Sequence, residues 1–177
     1  MFVLDEAGRG KLDTIIRPIE ASEVDRLADF LYLAVHQPDP DNPIPRSILA
    51  VPEVAAYIQE WGKPDDACLV AVKDQRLVGA VWTRIIAGEV RGYGNIDAHT
   101  PEFSVSVLPV CRGRGIGALL MRQMLELLRE RGYSRASLSV QKSNPALRLY
   151  ERLGFKAVAD HDDEIVMVYD FSANELQ

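Results

Sequence analysis

The spacing of apolar residues changes several times along the chain, and each change marks a predicted element. Thr14–Pro18 (TIIRP) is short and β-branched and predicts a first strand. Ser22 then caps a helix, with Glu23 and Asp25 in the first turn where the positive dipole end favours acids. Val24, Leu27, Ala28, Leu31 and Val35 recur at helical spacing along one stripe. Residues Gln37–Ile48 carry four prolines and cannot continue it. Val51–Trp61 restarts the helical period with Val54, Ala55 and Ile58, and Gly62 stops it. Cys68–Val72 and Leu77–Ile86 read as strands joined by the short polar turn KDQR. Ala87–Thr100 is glycine-rich and polar, a loop. Phe103, Val105 and Val107 alternate with Ser104 and Ser106, a strand with one polar face. The strongest helix runs from Ile116 to about Arg131, with Ile116, Leu119, Leu120, Met124, Leu127 and Leu128 inward and Gly132 closing it. Ala136, Leu138 and Val140 alternate with serines as a further strand. Asn144–Pro145 opens a short helix through Leu153, and Phe155–Ala159 and Ile165–Phe171 form a last strand pair. The order β-α-α-β-β-β-α-β-α-β-β predicts an α/β or α+β domain with a mixed sheet.

Length and charge narrow the classes. At 177 residues the expectation is one domain over 14–177, preceded by a loose arm at 1–13. Twenty Lys and Arg against 26 Asp and Glu give a net charge of −6, which argues against general nucleic-acid binding. No apolar run approaches the ~18 residues of a membrane span. The opening MFVLDEAGRGKLDT has no signal-peptide core, so the expected location is the cytoplasm. Cys68 and Cys111 make neither a disulfide framework nor a zinc spacing, and no metal is expected.

The chemistry concentrates in VLPVCRGRGIGALL, Val107–Leu120. A strand runs into Gly113, Gly115 and Gly117 and then into the long helix. Glycine permits positive φ and close backbone approach. The helix start offers unpaired N–H groups and partial positive charge. Arg112 and Arg114 add two cations, so a phosphate or pyrophosphate is the expected ligand. A Walker loop is excluded because no Lys-Ser/Thr follows the glycines. Gly113, Gly115 and Ala118 fit the dinucleotide fingerprint literally, but no acid stands between Glu130 and Glu151 to hold a ribose.

Arg112, Gly115 and Gly117 fit R/Q-x-x-G-x-G/A after a strand, and a second block, NPALRLYERLGF, occupies Asn144–Phe155. Together, from Ile15 to Tyr169, they resemble the GNAT superfamily of N-acetyltransferases. The resemblance implies a mixed, mostly antiparallel twisted sheet of about seven strands with about four flanking helices. It implies that the strands at 103–108 and 135–140 splay apart, with a bulge near Leu108–Pro109. It implies acetyl-CoA as acyl donor. Its pyrophosphate would lie on Arg112, Gly113, Arg114, Gly115, Ile116 and Gly117, and its pantetheine arm along the backbone of Val105, Ser106 and Val107. A backbone N–H near Val107 would serve the oxyanion. Tyr150 would be the general acid that protonates the departing thiolate. Family members place an Asn seven residues before that Tyr; here Ser143 holds the place, and Asn144, the implied cofactor contact, also reads as a helix cap.

An amine is mostly protonated at neutral pH, so a base is needed. Glu102, at the strand mouth, where the resemblance implies a carboxylate working through a water, is the first candidate, with Asp97 second and His99 third. The resemblance implies an acceptor lying against the first two helices and the loops beside them, with Tyr32, His36, Trp61 and Asp97 as candidates. Asp39, Asp41, Tyr57 and Trp82 share that region, where Tyr57 and Trp61 also read as sheet packing and the acids as loop solvation. The implied reaction transfers acetyl directly to a primary amine in a ternary complex, with a small-molecule acceptor and a monomer or homodimer as the unit. A non-catalytic acyl-CoA sensor, or an enzyme acting on a protein N-terminus or lysine, are the alternatives. A chain of this length leaves no room for a separate substrate domain, so specificity is expected from the first 100 residues.

Overall fold

The computed structural model describes residues 14–39 and 41–174; the arm expected over residues 1–13 lies outside them. The strands are β1 (Ile15–Pro18), β2 (Ala67–Lys73), β3 (Arg76–Arg84), β4 (Glu102–Val107), β5 (Arg135–Gln141), β6 (Lys156–Asp160) and β7 (Glu164–Asp170). They form one seven-stranded sheet in the order β1-β2-β3-β4-β5-β7-β6. Neighbours run antiparallel except β4 and β5, which are parallel. The helices are α1 (Leu27–Ala34), α2 (Pro52–Ala55), α3 (Ile116–Glu130), α4 (Leu147–Leu153) and α5 (Phe171–Asn174). None of them is long and apolar enough to cross a membrane. The mixed, mostly antiparallel sheet matches the expected fold class. At the KDQR turn Asp74 and Gln75 have φ of 49° and 60°, the paired left-handed conformation whose twist suits a two-residue hairpin.

Strict alternation in the central strands divides the core into two layers. Leu69, Ala71, Val81, Phe103 and Val107 face α3, meeting Ile116, Leu120, Met121, Met124 and Leu128. Cys68, Val70, Ala80 and Trp82 face the opposite way, against Leu27, Phe30 and Leu31 of α1 and Val54 and Tyr57 beyond it. On α3 the buried residues are Ile116, Leu120, Met121, Met124, Leu125 and Leu128. Leu119 and Leu127, expected inward, are half-buried, because rows spaced four apart meet the sheet.

Three local expectations are corrected. Ser22 is not the cap: Glu20 is, in a reciprocal capping box with Glu23, and Ala21–Arg26 forms a 3-10 stretch ahead of α1. The expected bulge near Leu108–Pro109 is absent from the β3–β4 pairing, whose register runs unbroken from Gly79↔Val107 to Arg84↔Glu102. Leu108 N–H still reaches Val78 O at 2.9 Å, and Pro109, lacking an N–H, then starts a 3-10 turn over Pro109–Cys111. Register shifts sit instead at Ala71/Val72 of β2 and at Ala157/Ala159 of β6.

The third concerns Val51–Trp61, where regular helix stops at Ala55. Arg84 is the reason. Its Nη1 donates to Gln59 O at 2.7 Å and to Ala56 O at 2.8 Å, the carbonyl that a continuing helix would bond to the N–H of Glu60. Its Nε and Nη2 grip Asp66 at 3.0 Å each, and its guanidinium lies 5.5 Å from the centre of the Trp61 ring. Both ends of the ion pair are almost wholly buried, 3% and 4% exposed. Removing one partner leaves the other buried and uncompensated. Arg84→Met should therefore cost about 3–5 kcal/mol in denaturant-unfolding free energy, and Arg84→Met/Asp66→Asn should recover part of that loss.

Candidate active site

The site begins with an interrupted sheet. β4 pairs with β3 along its length, and β5 with β7 from Arg135 to Gln141. Between β4 and β5 the register holds a single pair, Glu102↔Ser137, beside a bond from Ser137 N–H to Pro101 O at 3.0 Å. Beyond that pair the strands diverge, as the resemblance implied. The wedge is a cavity of about 310 Å³, with Phe103, Ser104 and Val105 on one wall and Leu138 through Gln141 on the other.

At the far end of β4 the chain turns into α3. Gly113 and Gly115 have φ of 72° and 81°. A Cβ built on either meets nothing within 4 Å, so the turn presents an open backbone surface. A Cβ on Gly117 would make only ordinary contacts, 3.8 Å to Val107 and 3.9 Å to Leu149. Ile116 begins α3, whose first N–H groups point toward this surface. Arg112 and Arg114 are exposed beside it, and Arg112 Nε donates to Val107 O at 3.0 Å. Open backbone, two guanidiniums and a helix N-terminus suit a pyrophosphate. Of the β4 residues named with the turn, Val105 lines the wedge, whereas the Ser106 hydroxyl is committed to Phe30 O at 2.7 Å.

Tyr150 of α4 lines the wedge, its ring edge-on to Phe155 at 6.1 Å. Burial pushes its phenol up to about 12, so it stays protonated at neutral pH. Asn144 also lines the wedge; its Oδ1 accepts from Ala146 N–H at 2.9 Å, a local turn that leads into α4.

Glu102 occupies the closed end, 2% exposed. Its Oε1 accepts hydrogen bonds from the Tyr57 hydroxyl and from Gly94 N–H, the latter at 2.7 Å. Tyr57 Oη in turn accepts from Tyr93 N–H at 2.9 Å. Its Oε2 is buried with no hydrogen-bond partner among the described residues. Desolvation raises this carboxyl to about 7; the Tyr57 and Gly94 donors oppose the rise and the charge of Glu164 adds to it. Burial and the facing Glu102 charge hold the Tyr57 phenol well above its usual value. The loop around Gly92 and Gly94 is shaped to this carboxylate. A Cβ on Gly92 would stand 2.0 Å from Oε2, and one on Gly94 would stand 2.6 Å from the Leu138 carbonyl carbon.

The other sequence candidates separate. Asp97 lies outside the cavity: its Oδ1 holds the N–H groups of His99 and Thr100 at 2.8 Å each and its Oδ2 meets Arg135 at 2.8 Å. Those bonds, the one from His99 first, hold its carboxyl below the usual range. His99 is exposed and away from the wedge. Tyr32 ties down a loop through Ile44 O at 2.6 Å, under Arg46, and Trp61 is covered by Arg84; neither lines the cavity. His36 does, its Nε2 3.0 Å from Ser143 Oγ. The cavity also gathers residues that sequence reasoning passed over: Tyr93, Ser139 and Glu164, with Ser139 Oγ donating to Glu164 Oε2 at 2.9 Å. The G-Y-G wording at 92–94 was the available signal for the loop. Among the described residues no group of His, Cys, Asp and Glu is placed to hold a metal ion.

Comparison with known proteins gives this geometry relatives. The chain is 37% identical over 106 residues to a mycothiol acetyltransferase of Thermomonospora curvata, which covers 59% of this chain and 32% of that protein. It is 39% identical over 56 residues to the ribosomal protein bS18 alanine N-acetyltransferase of Haemophilus influenzae, covering 32% of this chain and 38% of that one. The chain thus spans about a third of the length of the curated relatives it matches. Its fold is shared with the crystal structure of the PaiA N-acetyltransferase of Thermoplasma acidophilum in complex with coenzyme A. That likeness has a TM-score of 0.64 and 15% identity over 90% of this chain and all of that one. The sequence profile of the acetyltransferase (GNAT) family matches residues 31–155, from the middle of α1 to the end of the second motif block, and the chain belongs to that family.

Proposed function

We propose that this chain transfers an acetyl group from acetyl-CoA to the primary amine of a small molecule, by direct attack within a ternary complex. The observation that carries this is the wedge between β4 and β5. It puts a buried carboxylate, Glu102, and a protonated phenol, Tyr150, on one cavity whose β4 wall leads to the open glycine turn. Acetyl-CoA supplies an activated thioester. Residues 112–117 would hold its pyrophosphate, and the β4 edge left unpaired by β5 would receive the pantetheine amides as a neighbouring strand does. Glu102, with its carboxyl near neutrality, would take the proton that an ammonium must lose before it attacks. Tyr150 would hand its proton to the departing sulfur, and burial keeps that proton in place until an anion forms beside it. A β4 backbone N–H near Val107 would face the developing oxyanion. A sensor that only bound acyl-CoA would need neither Glu102 nor Tyr150. The similarity to the ribosomal protein bS18 alanine N-acetyltransferase supports a second reading, in which the amine is a protein N-terminus.

Acetyl-CoA at one hundred times its Kd should stabilise the folded protein by about 2.7 kcal/mol, a rise of roughly 5–10 °C in melting temperature. Gly115→Val, checked for folding by circular dichroism, should lose that rise, and so should the charge reversal Arg112→Glu/Arg114→Glu. Unchanged stabilisation of the folded variants would move the donor site elsewhere. Tyr150→Phe should lower kcat by about 10²-fold or more while the acetyl-CoA-induced rise is retained.

The sign of the pH dependence follows from Glu102. The base must be ionised, so kcat/KM should climb on the acid side with a midpoint near 7. Glu102→Gln should lower the rate and remove that limb. A limb that persists in the variant would assign the base to another group.

A further inference from the structure

Apart from the imidazole of His36, the titratable groups that could charge the wall of the wedge are acids and phenols. Two carboxylates, Glu102 and Glu164, line it, and among the described residues no lysine or arginine does. Glu102 has no ion-pair partner among the described residues, and its Oε2 has no hydrogen bond. A buried carboxylate without a cation is costly, and a ligand that brings the missing charge relieves the cost. Glu164 is held on the same face of the sheet. The register sets it beside Gln141, two residues along β5 from Ser139, which orients it; Ser137 of the same row stands beside Glu102. On the same cavity, the rings of Tyr57, which donates to Glu102, and Tyr93 stack with centroids 6.5 Å apart and planes 12° from parallel. Aromatic faces attract ammonium groups. Tyr93 also feels the charges of Glu53 and Glu164, which help burial hold its phenol up.

We propose that this end of the cavity selects acceptors whose primary ammonium has no carboxylate beside it, with Glu164 as the specificity-determining residue. The class comprises amino-acid amides, free peptide N-termini and alkyl diamines. A free α-amino acid would bring its own carboxylate against Glu102 and Glu164, and juxtaposed like charges reject a ligand. This selection rests on the acetyl-transfer reading.

The test uses the full chain, saturating acetyl-CoA and four probes: alaninamide, alanine, 1,4-diaminobutane and trialanine amide. Rates are read by coenzyme A release. Alaninamide should exceed alanine in kcat/KM by at least about tenfold. Glu164→Gln, which keeps the size of the side chain, should narrow that ratio by about threefold or more through KM rather than kcat, leaving the acetyl-CoA-induced melting shift unchanged. The diamine and the peptide amide distinguish a small polyamine-like acceptor from a chain terminus. Equal use of alanine and alaninamide overturns the proposal, as does a ratio unmoved in Glu164→Gln. Failure of all four probes at tens of millimolar, with acetyl-CoA still raising the melting temperature, overturns it too. Absence of that rise in the native protein strikes instead at the donor reading beneath it.

Discussion

The architecture turns on one residue pair. Glu102 and Ser137 join β4 to β5, and no other pair does. β1–β4 complete their ladders among themselves, as do β5–β7, so two half-sheets meet like the covers of a book at the spine. A continuous sheet would consume the backbone groups of β4 and leave no volume between the strands. The interruption supplies both an unpaired strand edge and a cavity, and its position dictates which side chains share that cavity. The helices follow from the same arrangement. α3 covers the first half-sheet from one side and α1 with Tyr57 covers it from the other, so the β4 wall of the opening is backed by packed core on both faces.

The residue at the spine also has perturbed chemistry. Glu102 is buried because it forms the last strand pair before the opening. Its carboxyl is raised because burial outweighs the two donors that Tyr57 and Gly94 provide. Those donors come from parts of the chain with no regular structure of their own, the turn after α2 and the loop ahead of β4. The absence of side chains at Gly92 and Gly94 lets that loop close on the carboxylate and on the backbone of β5.

Legibility in the sequence followed contiguity. The strand, the glycine turn and α3 are consecutive, so charge, positive φ and helix start could be read from a dozen residues. Tyr150 lies in a second compact block. Glu102 was readable because strand alternation begins at Phe103 and puts it at the mouth. Ser139 and Glu164 were not readable: their partnership crosses 25 residues and depends on the β5–β7 register. Asp97 was attractive by type, yet Arg135 and two backbone N–H groups already occupy its carboxylate. The helix expected over Val51–Trp61 failed for the same reason. Its apolar spacing was sound, but Arg84, more than 20 residues away, takes the Ala56 carbonyl that would have extended it.

That arginine reaches further than stability. Ala56 and Gln59, whose carbonyls it holds, bracket Tyr57, and Tyr57 donates to Glu102. Trp82 grips the carbonyl of Tyr57 itself at 3.1 Å. The hydrogen bond from Tyr57 to Glu102 is thus mechanically coupled to a clamp built on Arg84, the residue opposite Glu102 in the β3–β4 register. A substitution at Asp66 or Trp61 need not touch the cavity to be felt there, since displacing the clamp displaces the phenol that donates to Glu102. The hydrogen bonding of the buried carboxylate is thereby open to adjustment from residues that do not line the cavity at all.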